Sequence, residues 1–427
     1  MNYTQNERIM QITEKTLIVG IDVGSETHYA RAFNFRGMEL GKLLIFRNSA
    51  EGFASLREWA EQVAQRNGYT AITMGMEPTG HYWFNLAEYM KKSGMRIVLV
   101  NPHHVKKSKE LDDNNPKKTD RKDPKTIAML VKDGRYIEPY IPEGIYKELR
   151  TAMDSRWRLV QELTSIKNRV TRWLSIYNPE FLDVFRDWEG KAALMILHEC
   201  PTPVKILEKG IEGIIAIWKK EKIRAVGKKR AEKLVETAAM SIGSCEGLVS
   251  AEVELKMLLE DYERKMEQYE KIMALIESLA LKIPGFDKLL GIKGIGLITA
   301  AGFVAEIGDV SRFSHSKQIQ KLAGLSLKEN SSGKHRGKTT ICKRGRKRLR
   351  YYLTFGIMPL LSKNKEFREL HHYYTTRKEN PLKKMQSLVA LSNKVIRIFY
   401  ALLTKNVAYD PQKMLSDIKR EEVLIAA

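Results

Sequence analysis

Cysteine, long apolar runs and acid are all scarce in this chain. Cys200, Cys245 and Cys342 are the only cysteines in 427 residues, an odd and scattered set with no CxxC or Cys/His ligand spacing. Neither a disulfide framework nor a zinc site is indicated, and reduced, mostly buried thiols are expected. No apolar run approaches the roughly 20 residues of a membrane-spanning helix, and the N-terminal MNYTQNERIMQITEK has no signal-peptide hydrophobic core, which points to the cytosol. Acid is outnumbered, with 51 Asp+Glu against 73 Lys+Arg and a formal charge of +22. That excess implies a polyanionic partner, and nucleic acid fits it better than a membrane surface. The length leaves room for two or three domains with their own cores.

What is present has an order. Leu17–Asp22, His28–Phe35 and Glu39–Phe46 read as strands, the second and third joined by a tight turn at Arg36-Gly37. Helix Ala50–Gln65, strand Ala71–Met76, helix His81–Lys92, strand Arg96–Val100 and a helix ending near Lys132 follow. Three meandering strands followed by α-β-α-β-α is the order of an α/β RNase H-like domain, in which Asp22 and Glu77 end neighbouring strands. Leu149, Met153, Trp157, Val160, Leu163, Ile166, Val170 and Trp173 then recur at near-heptad spacing, as do Leu255 to Leu279. These predict coiled-coil helices, either an antiparallel pair within one chain or an oligomer interface. A helical insert, about 178–250, lies between them.

The texture changes at Ile283-Pro284-Gly285. The segment GIKGIGLITA, Gly291 to Ala300, resembles a helix-hairpin-helix, whose backbone N–H groups face a phosphate, although closely spaced glycines also make ordinary turns. Lys293 lies in that segment and joins the nucleic-acid-binding candidates. A dense basic block follows, with Lys334, Arg336, Lys338, Lys343, Arg344, Arg346, Lys347, Arg348 and Arg350 and no acid among them. These cations would repel one another unless an anion neutralised them. The expected organisation is 1–140 catalytic, 141–282 coiled-coil helices with the insert, 283–410 an all-α C-terminal domain whose last helix runs from about Pro381 to Lys405, and 411–427 a tail.

Four carboxylates carry the chemistry: Asp22, Glu77, Asp120 and Asp123. Hard divalent cations take oxygen ligands, and two bridged by carboxylates clamp the attacking and leaving oxygens of a phosphodiester, as nuclease or recombinase chemistry requires. Each acid also has a plainer reading. Asp22 suits a turn and Glu77 a solvated surface, while Asp123-Pro124 suits an N-cap followed by proline in the first turn. GIDVGSE further resembles the phosphate loop of sugar kinases and actin-like ATPases, but no second phosphate loop follows it. Ser331-Ser332-Gly333 is either a turn or the seat of a nucleophilic hydroxyl among stabilising cations.

GIDVG with Asp22, MEPTGHYW with Glu77 and the KTDRKD pair Asp120 and Asp123 resemble the four-carboxylate signature of IS110/Piv insertion-sequence transposases. IPGFDKLLGIKGIGLITAAGFVAEIGDVSRF and SSGKHRGKTTICKRGRKRLRYYL resemble that family's C-terminal domain, so the likeness covers nearly the whole chain. It implies a RuvC-like domain binding one or two Mg²⁺ per site, with Mn²⁺ as the alternative. It also implies a covalent serine–DNA intermediate on Ser332, with Ser331 as fallback, and donor and target DNA as substrates. A dimer of dimers with composite sites, a structured guide RNA from the element and a nucleoid-associated place in a bacterial cytoplasm are further implications. Pro124 departs from the expected pattern, because a residue able to continue a helix would stand there. A RuvC-like junction resolvase and a non-catalytic nucleic-acid-binding protein are the competing readings.

Overall fold

The computed structural model describes residues 4–112, 122–220, 222–223, 227–328, 331–332, 335–337, 339 and onward to 415. The chain divides into two units, Met1–Pro142 and Glu143–Ala427.

In the first unit, helix α1 (Gln5–Met10) precedes β1 (Thr16–Val23), β2 (Thr27–Phe33) and β3 (Glu39–Arg47). The β2–β3 turn is the expected tight one: Gly37 takes φ +92°, and Asn34 Oδ1 accepts the N–H groups of Arg36 and Met38. Then come α2 (Ala50–Arg66), β4 (Ala71–Met76), α3 (Trp83–Lys92), β5 (Arg96–Val100), α4 (Pro102–Asp112), α5 (Asp123–Lys132) and β6 (Tyr136–Ile137). The sheet order is β3-β2-β1-β4-β5-β6. β1 to β3 are antiparallel, β4 and β5 run parallel to β1, and β6 is an antiparallel edge. The mixed α/β sheet agrees with the sequence pattern. The last helix ends at Lys132 as expected, α4 is an additional helix ahead of it, and β6 is too short, at two residues, to show a period.

Alternation sends Leu17, Val19 and Ile21 to one face with Met74, Leu56 and Leu86, and Ile18 to the other with Val98, Ile127 and Val131. On that second face Gly20 stands opposite Gly75. A Cβ on Gly20 would lie 1.9 Å from the Pro124 carbonyl oxygen, and one on Gly75 would lie 2.4 Å from Val131 Cγ2. The two glycines form the bed of α5.

The second unit opens with α6 (Gly144–Tyr177), α7 (Phe181–Val184), α8 (Lys191–Glu199), α9 (Pro203–Lys220), α10 (Lys228–Ala239) and α11 (Leu248–Ala280). α6 and α11 pair antiparallel within the chain. Trp173 Nε1 donates to the Ala251 carbonyl (2.7 Å), Lys265 meets Glu162 (2.5 Å) and Arg156 donates to the Tyr269 hydroxyl (3.3 Å). The insert helices pack on one end of this hairpin around Phe181, Trp218 and Leu255. Cys200 is buried there, whereas Cys245 is exposed in the α10–α11 loop and Cys342 is half-buried, so only one of these free thiols is the buried kind expected.

Next come α12 (Phe286–Leu290), α13 (Leu297–Ile307), α14 (Ser316–Ala323) and four two-residue strands: β7 (Leu327–Lys328), β8 (Ser331–Ser332), β9 (His335–Arg336) and β10 (Thr340–Ile341). The strands correct the all-α expectation. No apolar side chain occurs between Leu327 and Ile341, so nothing there can bury a helical stripe, and the backbone pairs β7 with β10 and β8 with β9. Helices α15 (Lys347–Lys363), α16 (Lys365–Thr376), α17 (Lys384–Lys405) and α18 (Pro411–Met414) complete the unit. One core joins Met153 and Ile276 of the long hairpin to Phe286, Phe303, Leu353 and Phe399. α17 is long and apolar enough to cross a membrane, contrary to the estimate from apolar runs, because Lys394 and Arg397 break its run without ending the helix. Leu391, Ile396 and Phe399 of α17 lie in that core.

The α5 bed is testable. Gly20→Ala sets a methyl group against backbone and should cost at least the ~1–3 kcal/mol usual for overpacking. Thermal unfolding of the full chain would measure it, and an unchanged transition would show that α5 does not depend on this contact.

Candidate functional site

Strand register carries two of the carboxylates to one place. Ile21 stands opposite Met76 across the parallel β1–β4 pair, so Asp22 and Glu77 each follow that pair by one residue. Alternation puts Asp22 on the face of Gly20 and Glu77 on the face of Gly75, the face that α5 covers. Pro78 keeps Glu77 extended as the strand ends. Helix α5 begins at Asp123, whose neighbour Pro124 lays its carbonyl over Gly20. Three of the four acids therefore belong to one sheet face, while Asp120 lies outside the described residues.

Asp123 is the first helical residue, with Lys122 at the N-cap and no side-chain capping bond, so the N-cap reading is off by one residue. It is 9 % exposed and ion-paired with Lys109 of α4, whereas Asp22 and Glu77 are half-buried. Lys109 escaped the sequence reading, since nothing in its local pattern ties it to an acid 14 residues on. The all-oxygen donor chemistry suits a hard divalent cation. Among the described residues, however, no three His, Cys, Asp or Glu side chains gather closely enough to hold one. The described acids do not by themselves make a complete ligand set.

The turn after Asp22 is braced by His28. Its Nδ1 accepts the Gly24 N–H (3.2 Å), and Asn48 Nδ2 donates to the Ser25 carbonyl (3.0 Å). His28 is fully buried between Phe46 and Phe53. Burial pushes its pKa below the ordinary imidazole value, partly offset by Asn48, and so favours the neutral ring.

Ser331 and Ser332 occupy β8, where Ser331 pairs with Arg336 and Ser332 with His335, so they lie in a strand and do not themselves form the turn. The basic block beyond is less free than its composition suggests. Arg346 donates to the Glu306 carbonyl (2.8 Å) and meets its carboxylate (3.3 Å). Arg348 pairs with Asp154 and lies over Trp157, and Arg350 donates to the Ala323 carbonyl (2.8 Å). Burial raises the Glu306 pKa, with Arg150 opposing and Asp154 adding to the rise. These partners, distant in sequence, correct the idea that the whole block awaits an external anion. Lys343, Arg344 and Lys347 are exposed. Lys334 and Lys338 lie outside the described residues, and Arg336 is placed by its backbone alone. Lys293 is exposed in the α12–α13 connection, where Gly294 (φ +102°) allows close approach to Leu360.

Residues 19–179 match the family model DEDD_Tnp_IS110, described as a transposase, and residues 287–372 match the "Transposase IS116/IS110/IS902 family" model. The 44.8 kDa protein of insertion element IS116 from Streptomyces clavuligerus is 22% identical over 92% of this chain and 96% of its own. The 42 kDa protein of IS900 from Mycobacterium paratuberculosis is 21% identical over 92% and 96%. The transposase for IS1111A from Coxiella burnetii is 34% identical over 29% of this chain and 34% of its own. The mixed sheet and these matches define an insertion-sequence transposase, a class of protein that acts on DNA. The chain belongs to the IS110/IS116/IS902 family.

Two outcomes follow from the side-chain partners. Arg346→Ala strands the Glu306 groups and should lower stability by about 2 kcal/mol. Lys347→Ala should leave stability alone and flatten the log–log salt dependence of duplex DNA affinity by ~0.9 if that lysine contacts a phosphate. Calorimetry and salt titration separate them, and exchanged behaviour would refute the assignment. His28 supplies a third outcome. Its depressed folded pKa gives stability that is present above the unfolded value, near 6.5, and is lost as pH falls through the folded one. Wild type should therefore lose more stability than His28→Gln between pH 7.5 and 5, whereas parallel curves would contradict the buried neutral ring.

Proposed function

We propose that this transposase cuts and rejoins DNA strands through a first unit of RNase H-like (RuvC-like) type and a serine in the second. Asp22, Glu77, Asp120 and Asp123 would hold one or two Mg²⁺, which when bound neutralises charge on the reacting phosphate. The observation that carries this reading is the β1–β4 register, with Asp22 and Glu77 one step beyond Ile21–Met76 on the α5 face that starts at Asp123. The label DEDD of the matching model agrees with the order Asp, Glu, Asp, Asp along this chain.

Ser332, with Ser331 as alternative, is the proposed nucleophile. Its Oγ attacks phosphorus and its proton passes to a base, while a DNA oxygen departs with a proton of its own. One phosphoester replaces another, so a DNA hydroxyl can reverse the step without ATP. The strand pairing of β8 with β9 supports this reading by holding the serine backbone beside a segment rich in bases. The α12–α13 connection with Lys293 is the proposed helix-hairpin-helix phosphate contact. A structured RNA from the element, a homo-oligomer built as a dimer of dimers and action in the cytoplasm complete the reading, with the +22 charge compatible with both polyanions.

A denaturing gel of full-length protein with element-end DNA and Mg²⁺ tests it. Wild type should give a covalent protein–DNA adduct. Asp22→Asn should give neither adduct nor nick, and Ser332→Ala with Ser331 also replaced should lose adduct by about a thousandfold or more while still binding DNA. Nicks without adduct would replace the reading with hydrolysis, and an inert protein that binds DNA would remove catalysis altogether.

A further inference from the structure

Helix α15 leaves one face bare. Lys347, Tyr351, Phe355, Met358 and Ser362 recur at helical spacing and are exposed, while Leu349, Tyr352, Leu353 and Ile357 turn inward. Tyr351, Phe355 and Met358 are 42%, 63% and 59% exposed, a run of large apolar groups that a soluble helix normally covers. The Tyr351 and Phe355 rings lie nearly parallel, 15° apart with centroids separated by 5.5 Å, and the edge of Trp157 braces Tyr351 from α6 at 5.0 Å. A base inserted between two rings needs about twice the ~3.4 Å stacking distance, so this pair presents its outer surface.

Charge identifies the occupant. No Asp or Glu occurs from residue 331 to 365, and Lys347 heads the apolar stripe with Lys343 and Arg344 exposed just before it. Arg346, Arg348 and Arg350 are already engaged with the chain itself, which leaves these three exposed cations to an outside anion. A protein helix laid on this face would need acid to match them. A nucleic-acid strand supplies phosphate for the cations and a flat apolar ring for each aromatic, but only where its bases are unpaired, because pairing and stacking hide the ring faces of a duplex.

We propose that the Tyr351–Phe355–Met358 face of α15 is a stacking platform for unpaired nucleotides of single-stranded DNA, with Lys347 and Arg344 on the adjoining phosphates. The inference rests on the family assignment and is independent of the serine and carboxylate chemistry.

The test is fluorescence anisotropy of the full chain in EDTA, where no cleavage can occur, with labelled oligo-dT, a duplex of equal length and oligo-rU. Phe355→Ala should weaken oligo-dT binding by about fivefold to a hundredfold, the range of one lost base stack, and change duplex affinity less than twofold. Phe355→Trp should keep or strengthen binding, and Met358→Ala should weaken it less than Phe355→Ala. Because Phe355 is exposed, an unchanged melting temperature should accompany the loss. Equal loss on duplex, no loss on oligo-dT or a larger loss on oligo-rU would each overturn the proposal. So would a wild-type dimer in sedimentation that Phe355→Ala dissociates, because a second copy would then cover the face.

Discussion

The first unit depends on a steric allowance. Gly20 and Gly75 sit side by side in β1 and β4, and the absence of both side chains lets α5 lie against the strands with a backbone carbonyl where a methyl group would stand. Each glycine precedes an acid by two residues, Gly20 before Asp22 and Gly75 before Glu77, so glycine and acid share a face. The same close approach carries Asp123 to that face at the first turn of α5. Placing Asp123 there leaves it nearly buried, and Lys109 supplies the opposite charge that such burial requires.

The second unit shows how a strongly basic chain divides its charge. Part of the cation excess is structural: Arg346 closes on the end of α13 through Glu306, and Arg348 ties α15 to α6 through Asp154 and Trp157. The remaining exposed lysines and arginines face outward from the same stretch. Composition counts both groups alike, and only the fold sorts those that hold helices together from those left for a polyanion.

That sorting explains what the sequence disclosed. The sheet was readable because β1, β4 and β5 are apolar runs with breakers at each end, and the α6–α11 hairpin because its near-heptad spacing is long. The hairpin's partner was open at that level, since a heptad seam looks the same within a chain or between chains. Strands β7 to β10 escaped because backbone pairing of two residues leaves no side-chain pattern. Asp22 and Glu77 were legible as strand ends, but Lys109, Glu306 and the bare face of α15 depend on contacts or exposure that local pattern does not encode.

We propose that the strand ends of β1 and β4 and the start of α5 form one divalent-cation site. Iron-directed cleavage measures this directly: Fe²⁺ replaces Mg²⁺, ascorbate and peroxide generate hydroxyl radicals at the bound ion, and mass spectrometry locates the backbone cuts. The account predicts cuts clustered near Asp22, Glu77 and Asp123, suppressed by excess Mg²⁺ and absent in Asp22→Asn. Cuts elsewhere in the chain, or a pattern that Asp22→Asn leaves unchanged, would contradict it.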